Sequence, residues 1–171
     1  ILNQHPIPEV SDSSNRYTMW DDGSIECEVG EFLYGLVRLI KPLEIFETGV
    51  YHGWSSSYLA AGIKKNGFGH LDVIEWELQH INEAIPLWEK LGLIEYITYH
   101  NISSLDFITA RQYQLVLLDT EPQIRFSELN HFWDYLRPGG YVLIHDLHPH
   151  LGDRQPPWED FVEKIGDKIK S

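Results

Sequence analysis

Apolar positions along this chain change period repeatedly, and those changes mark out its elements. Across residues 28–40, Val29, Phe32, Leu33, Leu36, Val37 and Ile40 recur at helical spacing, which predicts an amphipathic helix closed by Pro42. Short apolar runs then alternate with further helical patterns. Strands are expected at 43–48 (LEIFET), 70–76 (HLDVIEW), 94–100 (IEYITYH), 113–119 (YQLVLLD) and 141–146 (YVLIHD). Helices are expected at 54–65, at 78–92 with a bend at Pro86, at 103–111, at 125–140 with a Pro-Gly-Gly stop, and at 158–170. Residues 1–24 carry Pro, Ser, Asp and Asn without periodicity and read as an irregular arm. Tyr17 and Trp20 equip that arm to pack or to cover a substrate as readily as to stay loose. The organisation is an arm over 1–26 and one α/β domain over 27–171, with no internal repeat.

Strands alternating with helices predict a parallel sheet covered on both faces, a doubly wound α/β domain of the Rossmann-like kind. The continuously apolar runs VLL and YVLI fit strands buried on both sides. In such sheets ligands bind outside the carboxyl ends of the strands, near the point where strand order reverses. Those ends carry Glu47, Thr48, Gly49, Tyr51, His52 and Gly53 after the first strand and Glu75-Trp76 after the second. They carry Asp119 and Glu121 after the fourth, and His145, Asp146 and His148 after the fifth. Solvated charges scattered at random would not fall so regularly on strand ends.

The loop after the first strand does not fit the dinucleotide fingerprint G-x-G-x-x-G. Laid from Gly49, Tyr51 takes the second glycine position and Trp54 the third, and both side chains obstruct a pyrophosphate. NAD is disfavoured, and an adenosine ligand without phosphate suits the loop better. Glu75 stands at the distance expected of a carboxylate that accepts both ribose hydroxyls. Trp76 fits an adenine face or a core position equally well.

Composition narrows the classes. A chain of 171 residues, 43% hydrophobic and 13% aromatic, is long enough for one sizeable core. Its 13 basic against 26 acidic residues give a net charge of −13. That charge, without a basic aromatic patch, argues against nucleic acid as a partner. No apolar run reaches membrane-spanning length. The single Cys27 fits a reducing compartment, so a cytoplasmic location is expected. A start at Ile1, with Met19 the sole methionine, suggests a trimmed chain or a piece of something longer.

The run LEIFETGVYHGWSSSYLA resembles motif I of class I S-adenosylmethionine-dependent methyltransferases, in the small-molecule O-methyltransferase branch with E-x-G-x-[FY]-x-G-x-S. LDVIEWE, YQLVLLDTEP and LRPGGYVLIHD resemble the following motifs in the same order, over residues 27–148. The forms GVYHG and HDLH are similar to cephalosporin hydroxylase-like and sugar O-methyltransferases. The resemblance implies S-adenosylmethionine as cofactor, held by Glu47, Thr48, Gly49, Tyr51, Gly53 and Ser55 around the methionine moiety. Glu75 and Trp76 would hold the adenosine, Ser103 would border the adenine, and Asp119 would sit beside the methyl group. It implies methyl transfer to a small-molecule acceptor, most readily a hydroxyl oxygen. The alternative is a non-catalytic adenosine-binding or interaction module on a truncated methyltransferase fold.

Members of that branch that use Mg²⁺ hold it with an aspartate after strand four, one after strand five and a following asparagine. Asp119 and Asp146 match the first two, whereas the third position is Leu147 and the usual lysine after the first aspartate is missing. Glu121 or His148 would have to complete such a site. His145 and His148 are the candidate bases, since imidazole titrates near neutral pH. His145, Asp146, His148 and Asp119 are therefore the candidate catalytic set. The family's C-terminal antiparallel strand pair has no counterpart before Ser171. An apolar edge on strand five is then expected to be covered by the arm or by a second subunit.

Overall fold

A computed structural model describes residues 18–21, 23–146, 163 and 166. Among them the elements run α1 (Cys27–Ile40), β1 (Glu44–Thr48), α2 (Trp54–Asn66), β2 (His70–Ile74), α3 (Leu78–Lys90), β3 (Ile97–His100), β4 (Tyr113–Leu118), α4 (Arg125–Phe132) and β5 (Leu136–Ile144). The sheet order is β3-β2-β1-β4-β5, and every neighbouring pair is parallel. The chain winds outward from β1 to β3, then returns to the other side of β1 for β4 and β5. Strand order therefore reverses between β1 and β4, which places a crevice outside their carboxyl ends.

Two cores lie on the two faces of the sheet. Alternate residues of each strand feed them: Ile45, Leu71, Val73, Leu115 and Leu117 pack with α1, α2 and α3 on one face. Phe46, Ile74, Tyr113, Val116 and Leu118 pack with Phe107, Leu129 and Phe132 on the other. Helix α2 is buried from Ser55 to Ile63 because α1 covers its outer side. Close approach is the reason for glycine here. A Cβ on Gly30 would stand 2.2 Å from the Tyr58 ring, and one on Gly62 would stand 2.7 Å from Val37.

Several local expectations differ from the structure. Residues 94–96 form a 3-10 turn, leaving β3 only four residues long. The helix expected at 103–111 is one 3-10 turn, Ser104–Asp106. Phe107 is buried there while Ile108 is 81% exposed, so the segment lacks the continuous apolar face that stabilises a helix. The helix expected to reach residue 140 ends at Phe132, and a 3-10 turn follows at Trp133–Tyr135. The residues LRPGG open β5 instead. Leu136 pairs with Tyr113 and Tyr141 with Leu115, so the residues between them bulge. Pro138 donates no hydrogen bond and Gly139 takes φ +78°, both suited to a bulge on an edge strand. The far edge of β5 has no strand partner among the described residues. The helix expected at 158–170 lies outside them apart from Glu163 and Gly166. Among the described residues no helix is long and apolar enough to cross a membrane.

Two glycines of α1 separate helix propensity from packing. Gly35 has open space around its Cβ position. Gly35→Ala should stabilise the fold by about 0.5–1 kcal/mol through propensity alone. Gly30→Ala gains the same propensity but drives a methyl into Tyr58, so it should destabilise by about 1–3 kcal/mol net. Urea denaturation of the two variants checks the opposite signs.

Candidate active site

The turn after β1 closes on glycine for a geometric reason. Gly49 takes φ +80°, and a Cβ there would lie 2.2 Å from the Asp119 carbonyl oxygen. Asp119 N donates to Thr48 O at 3.0 Å, and Gly49 N donates to Ile74 O at 3.0 Å. Three strand ends thus meet at one residue. Tyr51 also adopts positive φ, 46°, and Gly53 caps α2 at φ +81°.

Glu75 laces this turn to the end of β2. Its Oε2 accepts from Val50 N at 3.1 Å and Tyr51 N at 3.3 Å, and its Oε1 accepts from Glu77 N at 2.9 Å. His80 Nδ1 stands 3.5 Å from the same carboxylate. Asn101, just past β3, donates to the carbonyls of Glu75 and Trp76 at 2.9 and 2.8 Å. Held this way, Trp76 is 70% exposed, so it is not a core residue.

Over the strand ends lies a cavity of 610 Å³, in the range of small-ligand sites. Of the residues singled out in the sequence, Gly49, Tyr51, Ser55, Glu75, Trp76 and Ser103 line it on one side. Asp119, Glu121, His145 and Asp146 line the other. Glu47, Thr48 and Gly53 do not reach it. Thr48 faces the α4 side of the sheet, and Gly53 packs under Ala84 and Trp88. His148 and Leu147 fall outside the described residues.

Glu47 lies fully buried behind Ser55. Its Oε2 accepts from Ser56 Oγ at 2.5 Å, and its Oε1 has no hydrogen-bond partner. Burial pushes its pKa up to about 8, against the pull of the Ser55 and Ser56 hydroxyls. A buried carboxyl oxygen without a partner is costly, and keeping the carboxyl protonated lowers that cost.

The end of the arm forms the cavity's remaining wall, through Met19, Ser24, Ile25 and Glu26. Trp20 stacks on Trp54 with centroids 4.7 Å apart, and its Nε1 donates to Tyr58 Oη at 3.1 Å. Trp54 Nε1 donates to Asp21 Oδ2 at 2.9 Å, and His52 Nδ1 stands 3.1 Å from Asp21 Oδ1. Of the two roles open to Trp20, packing is the one seen.

Two site residues escaped the sequence reading. Glu26 Oε2 accepts from His145 Nε2 at 2.9 Å, while Asp119 Oδ1 accepts from His145 Nδ1 at 3.0 Å. Burial alone would lower the imidazole pKa. The hydrogen bond and charge of Asp119, with Asp146 and Glu26, outweigh it and hold His145 at about 9. Burial also raises Asp119, against the pull of His145 and Arg125. Arg125 is the second missed residue, and it had a readable signal. It opens α4, where a cation opposes the helix dipole, so something other than the helix must hold it. Nothing in the sequence marked Glu26 beyond its place between arm and domain.

Among the described residues the donor set does not fit the Mg²⁺ that the resemblance left open. Asp119 Oδ1 already faces the imidazolium and, at 3.5 Å, Arg125 Nη2. A dication about 4 Å from that guanidinium would be repelled by about 8 kcal/mol at an effective dielectric constant of about 20. Glu26, His145 and Asp146 offer one atom each within 4.8 Å of one another. Mg²⁺ prefers oxygen ligands in an octahedron, and both ring nitrogens of His145 are engaged with carboxylates.

A parallel sheet with this order, a glycine turn at its switch point and carboxylates on the flanking strand ends defines a Rossmann-like α/β fold. A family model described as "Methyltransferase domain" matches residues 46–147. The chain belongs to that family. It is 26% identical over 127 residues to a protein of Mycobacterium sp. (strain JLS) named "Putative O-methyltransferase", covering 72% of this chain and 57% of that one. The chain thus spans a little over half the length of that curated relative. Among solved structures it is similar to the O-methyltransferase TomG from Streptomyces achromogenes, crystallised with SAM, at TM-score 0.66 and 21% identity over 86% of this chain and 70% of that one. It is also similar to an O-methyltransferase from Bacillus cereus in complex with SAH, at TM-score 0.64 and 20% identity over 72% and 58% of the two chains. At these identities the two structures establish the fold.

Glu47 and His145 make stability pH-dependent in the same sense. Both have folded pKa values above their ordinary ones, about 8 against 4.5 and about 9 against 6.5. Each contribution is fully present below the ordinary value and is lost as pH rises through the folded one. Unfolding free energy should therefore fall from about pH 4.5 to 9, through Glu47 between 4.5 and 8 and through His145 between 6.5 and 9. Glu47→Gln should flatten the fall below pH 8 by about 1 kcal/mol per pH unit and leave it unchanged above. Denaturant titrations at pH 5, 7 and 8.5 check it.

Proposed function

We propose that this chain binds S-adenosylmethionine and transfers its methyl group to a small-molecule acceptor, most readily at a hydroxyl oxygen. The observation that carries the reading is the cavity at the switch point, with Glu26, Glu75 and Asp119 on its wall. An adenosine ligand carrying an ammonium and a sulfonium meets acidic partners there; a pyrophosphate would meet the wrong charge. The family membership supports the reading, and the O-methyltransferase name of the mycobacterial relative points to oxygen as the acceptor atom.

The roles divide along the cavity. Glu75 and Trp76 would hold the ribose and the adenine, with Ser103 at the border. Gly49, Tyr51 and Ser55 would surround the amino-acid portion, in front of Glu47. S-adenosylmethionine supplies a methyl group activated by a positively charged sulfur. Asp119 stands at the end of β4, where that charge would face it. The acceptor would lie against the arm's wall, near Met19, Ile25 and Glu26. His145 would serve as a base through Nε2 only in its neutral form, above its pKa of about 9, once the proton it now donates to Glu26 is lost.

Calorimetric titration with S-adenosylmethionine, its demethylated product and NAD⁺ tests the cofactor. The first two should bind and NAD⁺ should not. Glu75→Gln should weaken the product by about tenfold or more, or about 1.4 kcal/mol. Retained near-ultraviolet circular dichroism would show that the variant is folded. Binding of neither nucleoside would overturn the proposal.

A further inference from the structure

Asp119 is already furnished with positive charge by the chain itself. Arg125 is 4% exposed, and its donors are spent on the two strand ends that carry the candidate chemistry. Nε and Nη2 donate to Thr120 O at 2.9 and 2.7 Å, and Nη1 donates to the carbonyl oxygen of His145. Nη2 also stands 3.5 Å from Asp119 Oδ1. One guanidinium therefore ties the loop after β4 to the end of β5, with its charge beside the carboxylate between them. A turn further along α4, buried Glu128 accepts from Thr120 Oγ1 at 2.6 Å and fastens the same loop from its other side. His145 Nδ1 completes the charge around Asp119 at 3.0 Å.

We propose that Arg125 supplies, from inside the fold, the positive charge beside Asp119 that a divalent cation would otherwise bring, so that this site takes no metal. Arg125 is in addition the positioning residue that sets Asp119 against His145. A planar, permanently charged fork suits that task, because it can grip two backbone carbonyls and still face a carboxylate. The inference deepens the methyl-transfer reading and rests on it only for what the positioned groups do. The charge assignment stands on the geometry.

The experiment titrates the chain with Mn²⁺ and with Mg²⁺ alone, and with the demethylated product in the presence and absence of chelator. Wild type should show no saturable one-to-one Mn²⁺ uptake below about 1 mM. Chelator should leave the product's affinity unchanged. Arg125→Gln should take up Mn²⁺ at least about tenfold more tightly than wild type, and Arg125→Lys, which keeps the charge, should not. A purely structural role for Arg125 would change stability without creating a metal site. One-to-one uptake by wild type that is abolished in Asp119→Asn or Glu26→Gln would overturn the proposal, and so would a folded Arg125→Gln that gains no affinity. If Arg125→Gln does not fold, the wild-type and Asp119→Asn titrations decide alone. Uptake indifferent to both Asp119→Asn and Glu26→Gln reports the acidic surface and leaves the site metal-free. Failure of product binding without metal uptake would sink the methyl-transfer reading and keep the charge assignment; product binding with Asp119-dependent uptake would do the reverse.

Discussion

The contact between Gly49 and the backbone of Asp119 is the constraint on which the site depends. Adjacent parallel strands normally end apart, with side chains filling the space between their last residues. Here the Gly49 Cβ position would lie 2.2 Å from the Asp119 carbonyl oxygen, so only glycine lets β1 and β4 finish this close. The same turn presents Val50 N and Tyr51 N to Glu75 across the other side of β1. One missing side chain thus fixes the relative positions of three strand ends, and the cavity wall follows from them.

The residues around that wall divide by charge. On the β2 side the groups are carboxyl, aromatic and hydroxyl, with Glu47 buried behind them. On the β5 side, carboxylates alternate with cations: Glu26, His145, Asp119 and Arg125 follow one another through 2.9, 3.0 and 3.5 Å contacts. Such a chain of opposite charges holds each member's geometry through its neighbours. It also ties Glu26, at the end of the arm, to the strand ends.

Most of the fold could be read in the sequence because a buried parallel sheet writes a strong pattern. VLL is buried on both faces as expected, whereas the equally apolar YVLI lies on the sheet edge and stays half-exposed; α1 and α3 show an apolar stripe. The failures came where tertiary context decides. LRPGG reads as a helix stop, yet β4 recruits Leu136 into a bulged edge strand. SSLDFITAR carries helix-like spacing, but only Phe107 finds a core to enter. In the site, residues fixed by backbone geometry were legible: Gly49 by its turn, and Glu75 and Asp119 by their strand ends. Glu26 was not, since it reaches the cavity from a segment whose orientation the sequence does not state; Arg125 left only the signal of a cation at a helix start.

A buried ionisable cluster is not in itself a sign of function, and this chain carries the comparison within one sheet. Asp72, in the middle of β2, is more deeply buried than Asp119 or Glu26. It accepts from Tyr113 Oη at 3.0 Å, Arg111 Nη1 at 3.2 Å and His100 Nε2 at 3.1 Å. Burial, with Asp72 beside it, pushes the Tyr113 hydroxyl's pKa upward. Yet none of these four residues lines the cavity, and their bonds join β2, β3 and β4 to one another. Replacing such a network with apolar residues of like volume would cost a fold little. The Asp119 row differs in what its members leave open. His145, Glu26 and Asp119 all face the cavity, and so each retains an edge that a ligand can meet. Perturbed ionisation singles out both clusters; position at the carboxyl ends of β4 and β5 separates the one that can act on a ligand from the one that holds strands together.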